Sequence, residues 1–207
     1  MGCKTLNSTK MSIFHGEDPF EIARRWYSEA NKKELNDPDA VALATIDEGG
    51  LPNVRMVLMR FILDDAFIFF TNYNSVKATE ILTSGKAAFV YHWKSLRRQI
   101  RVRGEIFKED SGLSDKYFGE RSKESRYGAW ASKQSVPLPD KNSLFEKIEK
   151  LKAELGDNPP RPDFWGGFKI IPTEIEFWAD GTYRLHDRFR WSRPDIESGW
   201  EVNRLYP

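Results

Sequence analysis

Residues able to do chemistry in this 207-residue chain fall into a few short runs. Arg184-Leu185-His186-Asp187-Arg188 packs two guanidiniums, an imidazole and a carboxylate into five positions. Read as a strand, it sends Arg184, His186 and Arg188 to one face and Leu185 and Asp187 to the other. Such a face suits an anionic, planar ligand, because guanidinium stacks on rings and hydrogen-bonds to oxygen while imidazole gives or takes a proton. Taken alone, the five residues read more plainly as a solvated polar face. In Asn53-Val54-Arg55-Met56-Val57-Leu58-Met59-Arg60, two arginines interrupt an apolar strand at an odd separation, which predicts opposite faces and different partners. Each needs a counter-charge, either an anionic ligand or a structural carboxylate.

Phe69-Phe70-Thr71-Asn72-Tyr73-Asn74-Ser75-Val76-Lys77 reads as strand, turn and helix start, leaving backbone N–H groups free near Lys77, a geometry that binds phosphate. The run from Lys94 to Arg103 carries five cations and no acid. Alternation turns Ile100, Val102 and Ile106 inward and Gln99, Arg101 and Arg103 outward, where uncharged Gln99 can read the polar edge of a heterocycle. Tyr117, Arg121 and Ser125 recur every fourth residue and share a face if one helix runs through them, although Gly119 interrupts it. Hydroxyl, guanidinium and hydroxyl in that order suit a phosphate monoester. Gly128-Ala129-Trp130-Ala131-Ser132-Lys133-Gln134-Ser135 adds a polar loop.

The elements that must hold these groups are mostly strands. Asp18-Pro19-Phe20-Glu21 opens a helix with Phe20, Ala23, Trp26, Tyr27 and Ala30 as its apolar stripe. From Ala40 the period falls to two, predicting strands at about 40–46, 53–62, 66–71, 87–93 and 98–107. A short helix runs from Asn74 or Ser75 to about Leu82, and a longer one after Asp140 carries Leu144, Ile148, Leu151 and Leu155. A second strand block is predicted at 166–171, 174–179, 182–190 and 200–203. Short antiparallel strands with few helices between them predict a mainly β, α+β fold built on a closed or split barrel. Residues 1–16 form an arm and 17–207 a single domain. The seven tryptophans serve core or dimer packing in the plainer reading.

Composition narrows the function. Lys plus Arg is 32 and Asp plus Glu is 31, so the balance gives no support to general nucleic-acid binding. One cysteine, Cys3, excludes an intramolecular disulfide framework, and His15, His92 and His186 are too scattered for local metal-ligand spacing. No apolar run approaches the roughly 20 residues a membrane helix needs. The expectation is a soluble, cytoplasmic protein without metal. Met1-Gly2-Cys3-Lys4-Thr5-Leu6 fits a myristoylation signal poorly, since Leu6 stands where Ser or Thr is required.

Together the runs from Arg55 to Arg60, Phe70-Thr71-Asn72, Arg98-Gln99, Gly128 to Ser135, Phe164-Trp165-Gly166-Gly167-Phe168, Ile175-Glu176-Phe177-Trp178 and Arg184 to Arg188 resemble the FMN-dependent pyridoxamine 5'-phosphate oxidase family over about Asp18 to Pro207. The resemblance implies a split-barrel homodimer with FMN at the subunit interface, an FMN-binding core at about 35–135 and a dimerisation and substrate-site region at about 163–207. It implies oxidation of pyridoxamine or pyridoxine 5'-phosphate by O2 to pyridoxal 5'-phosphate, with H2O2 released. By position it assigns FMN to Arg55, Met56, Val57, Leu58, Met59, Arg60, Phe70, Thr71, Lys77, Gln99, Gln134, Ser135, Trp178 and Arg188. It assigns the substrate to Arg60, Tyr117, Arg121, Ser125, Arg184, Leu185 and His186, with Arg184 and His186 catalytic. Three departures stand out: Arg60 replaces a usual lysine, Val76 replaces a usual basic residue, and no basic, tyrosine-containing segment precedes Asp18. Rival expectations are a phenazine-pathway type of FMN oxidase acting on another cyclic substrate, and a non-catalytic carrier of flavin or vitamer phosphate.

Overall fold

The computed structural model describes residues 13–109 and 112–207. Cys3, the Met1-Gly2 signal and most of the expected arm lie outside them. Packing begins before residue 17: Phe14 is buried against Trp26 and Phe189, and the Trp26 indole N–H donates to the Ile13 carbonyl.

Helix α1 (Pro19–Lys33) starts where Asp18 accepts from the Phe20 amide at 2.9 Å, and it buries Phe20, Ile22, Ala23, Trp26 and Ala30. Strands β1 (Ala40–Ile46), β2 (Pro52–Ile62) and β3 (Phe67–Asn72) form an antiparallel meander. Helix α2 (Val76–Ser84) then leads to β4 (Lys86–Trp93) and β5 (Arg98–Lys108). Three helices follow, α3 (Leu113–Glu120), α4 (Lys123–Ala131) and α5 (Lys141–Leu155), before β6 (Trp165–Ala179), β7 (Asp187–Ser192) and β8 (Glu201–Leu205).

The strand order is β3-β2-β1-β4-β5-β6-β7-β8, and β3 also pairs with β6, so six antiparallel strands close a barrel from which β7 and β8 extend. Strand β6 performs both tasks. Its first half, from Trp165 to Ile170, pairs with β3, and its second half, from Glu174 to Ala179, pairs with β7, while β5 runs beside both. The two strands expected at 166–171 and 174–179 are therefore one. Pro172 and Thr173 are absorbed by a register shift opposite Arg103 and Gly104. Position 104 must be glycine, because a Cβ there would overlap the Ile171 carbonyl.

Period-two alternation fills the barrel with Val41, Leu43, Phe67, Phe69, Phe89, Tyr91, Ile100, Val102, Phe168 and Ile170, all buried. Each fully buried ring or branched chain contributes roughly 1.5–3 kcal/mol. Trp26 of α1 meets Phe177 edge-on at 5.2 Å and so plugs α1 onto the barrel. The outward face of β2 is apolar but uncovered: Val54 and Met56 are each 64% exposed and Leu58 37%. The α5 stripe of Leu144, Ile148, Leu151 and Leu155 is only half-buried. Among the described residues, no helix is long and apolar enough to cross a membrane.

The expected strand at 182–190 is not formed at its start. After β6 the chain reverses through Gly181 into a 3-10 turn at Thr182–Arg184, and Tyr183 and Arg184 both have positive φ, 57° and 64°. Extended pairing resumes only at Asp187. A left-handed backbone cannot alternate its side chains, so the shared strand face of Arg184, His186 and Arg188 does not exist. Likewise Tyr117, Arg121 and Ser125 are not on one helix. Helix α3 stops at Glu120, Arg121 is extended, and Ser122 caps a new helix by accepting from the Ser125 amide at 3.2 Å.

Candidate active site

The largest cluster of expected site residues surrounds a cleft of about 650 Å³ between β2, β3, the start of α2 and the α3–α4 corner. Its lining includes three cations, Arg60, Lys77 and Arg121, and no carboxylate. Lys77 enters from the first turn of α2 and is nearly buried, its ammonium donating to Thr71 Oγ1 at 3.2 Å, Ser75 Oγ at 3.2 Å and Gln134 Oε1 at 3.0 Å. Burial, and then the charge of Arg55, push its pKa down; Glu80 works the other way. The adjoining α2 N-terminus lacks a side-chain cap from Ser75; the Val76 amide instead donates to Ser135 Oγ at 3.3 Å. Ser135 is held there by a positive φ of 73°.

Across the cleft, Arg121 lies over the Trp165 ring at 4.8 Å, and burial lowers its pKa as well. Its Nη1 is buried without a hydrogen-bond partner among the described residues. A buried guanidinium nitrogen left unpaired costs free energy unless a ligand oxygen meets it. Phe70 stacks on both neighbouring rings, 4.4 Å from Tyr117 and 5.5 Å from Trp165. Arg60 reaches toward Tyr117 and pairs with Asp39. Thus Tyr117, Arg121 and Ser125 do share one cleft with Arg60, although a broken helix rather than one continuous face brings them together.

Arg55 is not part of that lining, although its charge is felt by Lys77. Its guanidinium donates to Thr45 Oγ1 and, at 3.0 Å, to Glu80 Oε2, so the structural carboxylate foreseen as one alternative is present for both arginines of β2. Met56, Val57 and Leu58 line the cleft, whereas the Met59 side chain belongs to the core at 1% exposure and leaves only its backbone for a ligand.

Gln99, Trp178, Arg188, Arg184 and His186 gather instead over β5 to β7 and the turn after β6, and none of them lines the first cleft. Gln99, Trp178 and Arg188 stand in one cross-strand row over β5, β6 and β7. Arg188 donates from Nε to the buried Glu176 at 2.8 Å, and Glu176 also accepts from Arg101 at 2.6 Å. Arg184 and His186 border an adjacent cleft with Trp178, whose ring lies 4.6 Å from the imidazole. The Gly181 amide donates to His186 Nδ1 at 3.2 Å. Leu185 is exposed, and its amide is already bonded to the Thr182 carbonyl.

Sequence reasoning missed the supporting acids and one aromatic platform. Asp39, Glu80 and Glu176 hold Arg60, Arg55 and Arg188, and Trp165 carries Arg121. Only Glu80 had a local signal, three residues after Lys77 on the same helix. The donor set fits a flavin nucleotide: a buried ammonium beside a helix N-terminus for phosphate, amide and hydroxyl groups of Gln134 and Thr71, and flat aromatic and apolar walls.

Residues 27–153 match the family model described as pyridoxamine 5'-phosphate oxidase, and residues 165–207 match that of the pyridoxine 5'-phosphate oxidase C-terminal dimerisation region. The chain is 59% identical over 198 residues to a pyridoxine/pyridoxamine 5'-phosphate oxidase of Cereibacter sphaeroides, covering 96% of this chain and 99% of the relative. It is 56% identical to that of a Ruegeria species, covering 97% and 100%. Among solved structures, PhzG from Burkholderia lata in complex with tetrahydrophenazine-1-carboxylic acid superposes with a TM-score of 0.88 at 29% identity over the whole of both chains. An FMN-binding, pyridoxamine 5'-phosphate oxidase-related protein of Nostoc punctiforme shares the fold, with a TM-score of 0.74 at 18% identity over 93% of this chain and all of that one.

Proposed function

The chain belongs to the pyridoxamine 5'-phosphate oxidase family, and from that premise we propose how its residues divide the work. It is an FMN-dependent oxidoreductase of vitamin B6 metabolism, acting on pyridoxamine or pyridoxine 5'-phosphate as a split-barrel homodimer. Bound FMN supplies the two-electron acceptor for the substrate carbon. With O2 as terminal oxidant, pyridoxine phosphate gives pyridoxal phosphate and H2O2; the amine consumes one water as well and releases ammonia.

Lys77, Thr71, Gln134 and Ser135 hold the flavin nucleotide at the start of α2, with Arg55 beside them and Met56 to Leu58 along its edge. Tyr117, Arg121, Ser125 and Arg60 hold the substrate phosphate. Gln99, Trp178 and Arg188, together with Arg184 and His186, complete the same site from the second copy. FMN therefore lies at the interface. That reading is supported by the separation of the two clusters within one chain and by the uncovered apolar face of β2 beside the cleft. Arg184 orients the pyridine ring and adds positive charge. The His186 Nδ1 lies 3.2 Å from the Gly181 amide and 3.3 Å from Asp180 Oδ1, contacts that hold the ring in place beside Trp178. We assign the protein to the cytoplasm, a reading its single cysteine supports. Residues 17–207 act as one domain, with an FMN-binding core at about 35–135 and a dimerisation and substrate-site region at about 163–207.

One observation carries the assignment of the first cleft: three cations without a lining carboxylate, one of them with a buried nitrogen that no described residue satisfies. An anaerobic titration of FMN-loaded protein with pyridoxamine 5'-phosphate tests it. Stoichiometric bleaching of the flavin is expected; colour that persists through excess substrate refutes the oxidase reading. The resemblance to the phenazine-pathway protein sets a second arm, turnover of an unphosphorylated cyclic carboxylic acid in air. Turnover of that acid in preference to the vitamer phosphate overturns the substrate assignment.

A further inference from the structure

Glu80 is a buried carboxylate beside a site built to hold anions, an arrangement that Coulomb's law alone disfavours. Its surroundings explain it. On the β1–β2 hairpin, Thr45 stands opposite Asn53, and Arg55 follows two residues later on the same face. All three point at Glu80. Asn53 Nδ2 donates to Oε1 at 3.1 Å, Arg55 Nη2 donates to Oε2 at 3.0 Å, and the Thr45 hydroxyl donates to Oε2 while accepting from Arg55 Nη1. The ring Arg55–Thr45–Glu80 is closed. Burial alone would raise the carboxyl's pKa, but the donors from Thr45 and Asn53 and the charge of Arg55 outweigh it and hold the group ionised.

Glu80 also lies one turn after Lys77 on α2, and the two cations Arg55 and Lys77 repel each other. Without an acid, two like charges converging on one phosphate would splay apart before the ligand arrived. We propose that Glu80 is a positioning residue for the flavin phosphate: it fixes the plane of Arg55 and screens Arg55 from Lys77, so that both cations are set before binding. Its own charge is spent on three donors and little of it reaches the phosphate. Arg55 keeps its Nε and one Nη2 hydrogen outside the ring, enough for a bidentate grip. This inference rests on the reading that Arg55 and Lys77 hold that phosphate.

Flavin affinities of apoprotein measured by fluorescence quenching decide the matter, with FMN and riboflavin compared, since riboflavin lacks only the phosphate. In Glu80→Gln, FMN is expected to bind about tenfold or more weakly while riboflavin changes by less than about twofold, the loss of one charge-assisted hydrogen bond's worth of order. Thr45→Val keeps every charge and breaks the ring; it is expected to weaken FMN by about threefold, again with riboflavin unmoved. Equal losses for both flavins would reduce Glu80 to a structural group, and tighter FMN binding in Glu80→Gln would make it merely a repulsive one; either overturns the inference. Lys77→Ala is the control for the underlying reading. A preference for FMN over riboflavin that survives Lys77→Ala removes the phosphate from this corner altogether. A preference lost in Lys77→Ala but intact in Glu80→Gln and Thr45→Val removes only the role of Glu80.

Discussion

Lys77 shows how a single side chain can be held against its own preference. Burial and the nearby Arg55 lower its pKa, so its protonation opposes folding at neutral pH, and that penalty is relieved as pH rises through the folded value. In the proposed site a bound phosphate would reverse the shift. Binding of FMN therefore takes up a proton at alkaline pH, and affinity should fall as pH rises toward the ordinary lysine range; a Kd profile by fluorescence, flattened in Lys77→Met, checks this. Arg121 sets a second expectation. Arg121→Gln should raise KM for the vitamer phosphate about 10- to 100-fold, the worth of a charged hydrogen bond pair, while flavin content stays that of the parent. Steady-state kinetics with an FMN absorbance ratio measure both. The two arginines of β2 show what was legible at this scale: alternation foretold different partners, but the acids themselves, Asp39 and Glu80, lie 21 and 25 residues away in sequence. No local period announces such a pairing.

Elements were legible wherever a period repeated. Strands β1 to β5 and helices α2 and α5 fall within a residue or two of expectation because one-sided burial imposes a period that the sequence records. The turn after β6 was not legible. Tyr183 and Arg184 are β-compatible types, and only tertiary context drives them to positive φ. Gly181 makes that turn possible, since a Cβ there would overlap the Leu185 carbonyl. Gly181→Ala must open the turn and displace Arg184 and His186. A misplacement near 1 Å costs on the order of a hundredfold in rate. The variant should thus lose about two orders of magnitude in kcat with its melting temperature changed by only a few degrees, as rapid kinetics and calorimetry would show.

At the scale of the whole molecule, the candidate site was read from sequence as one list, yet one chain spreads it over three clefts. Residue spacing says nothing about which copy faces which; only the resemblance, with FMN at the subunit interface, implied a site shared by two copies. The apolar outer face of β2 is the surface through which a second copy would complete the site, and Met56 stands in its middle, exposed and lining the cleft. Met56→Glu places a charge in that contact and should yield a monomer that no longer retains FMN. Size-exclusion chromatography monitored at a flavin wavelength reads both at once; a monomer that stays yellow would place the cofactor within one chain.

The pairing of β3 with β6 has a consequence for biosynthesis. It joins Phe67 to Ile170 and Asn72 to Trp165, strands roughly a hundred residues apart, so the barrel cannot close until β6 has left the ribosome. Until then β3 offers an open edge, and Phe70 and Thr71 have no wall across from them. A chain cut short before Trp165 should bind no flavin and should be readily proteolysed, whereas one that includes β6 should bind flavin and resist the protease; limited proteolysis with a flavin absorbance reading checks both. Loading with cofactor would in this way be tied to the arrival of β6, the strand that closes the barrel.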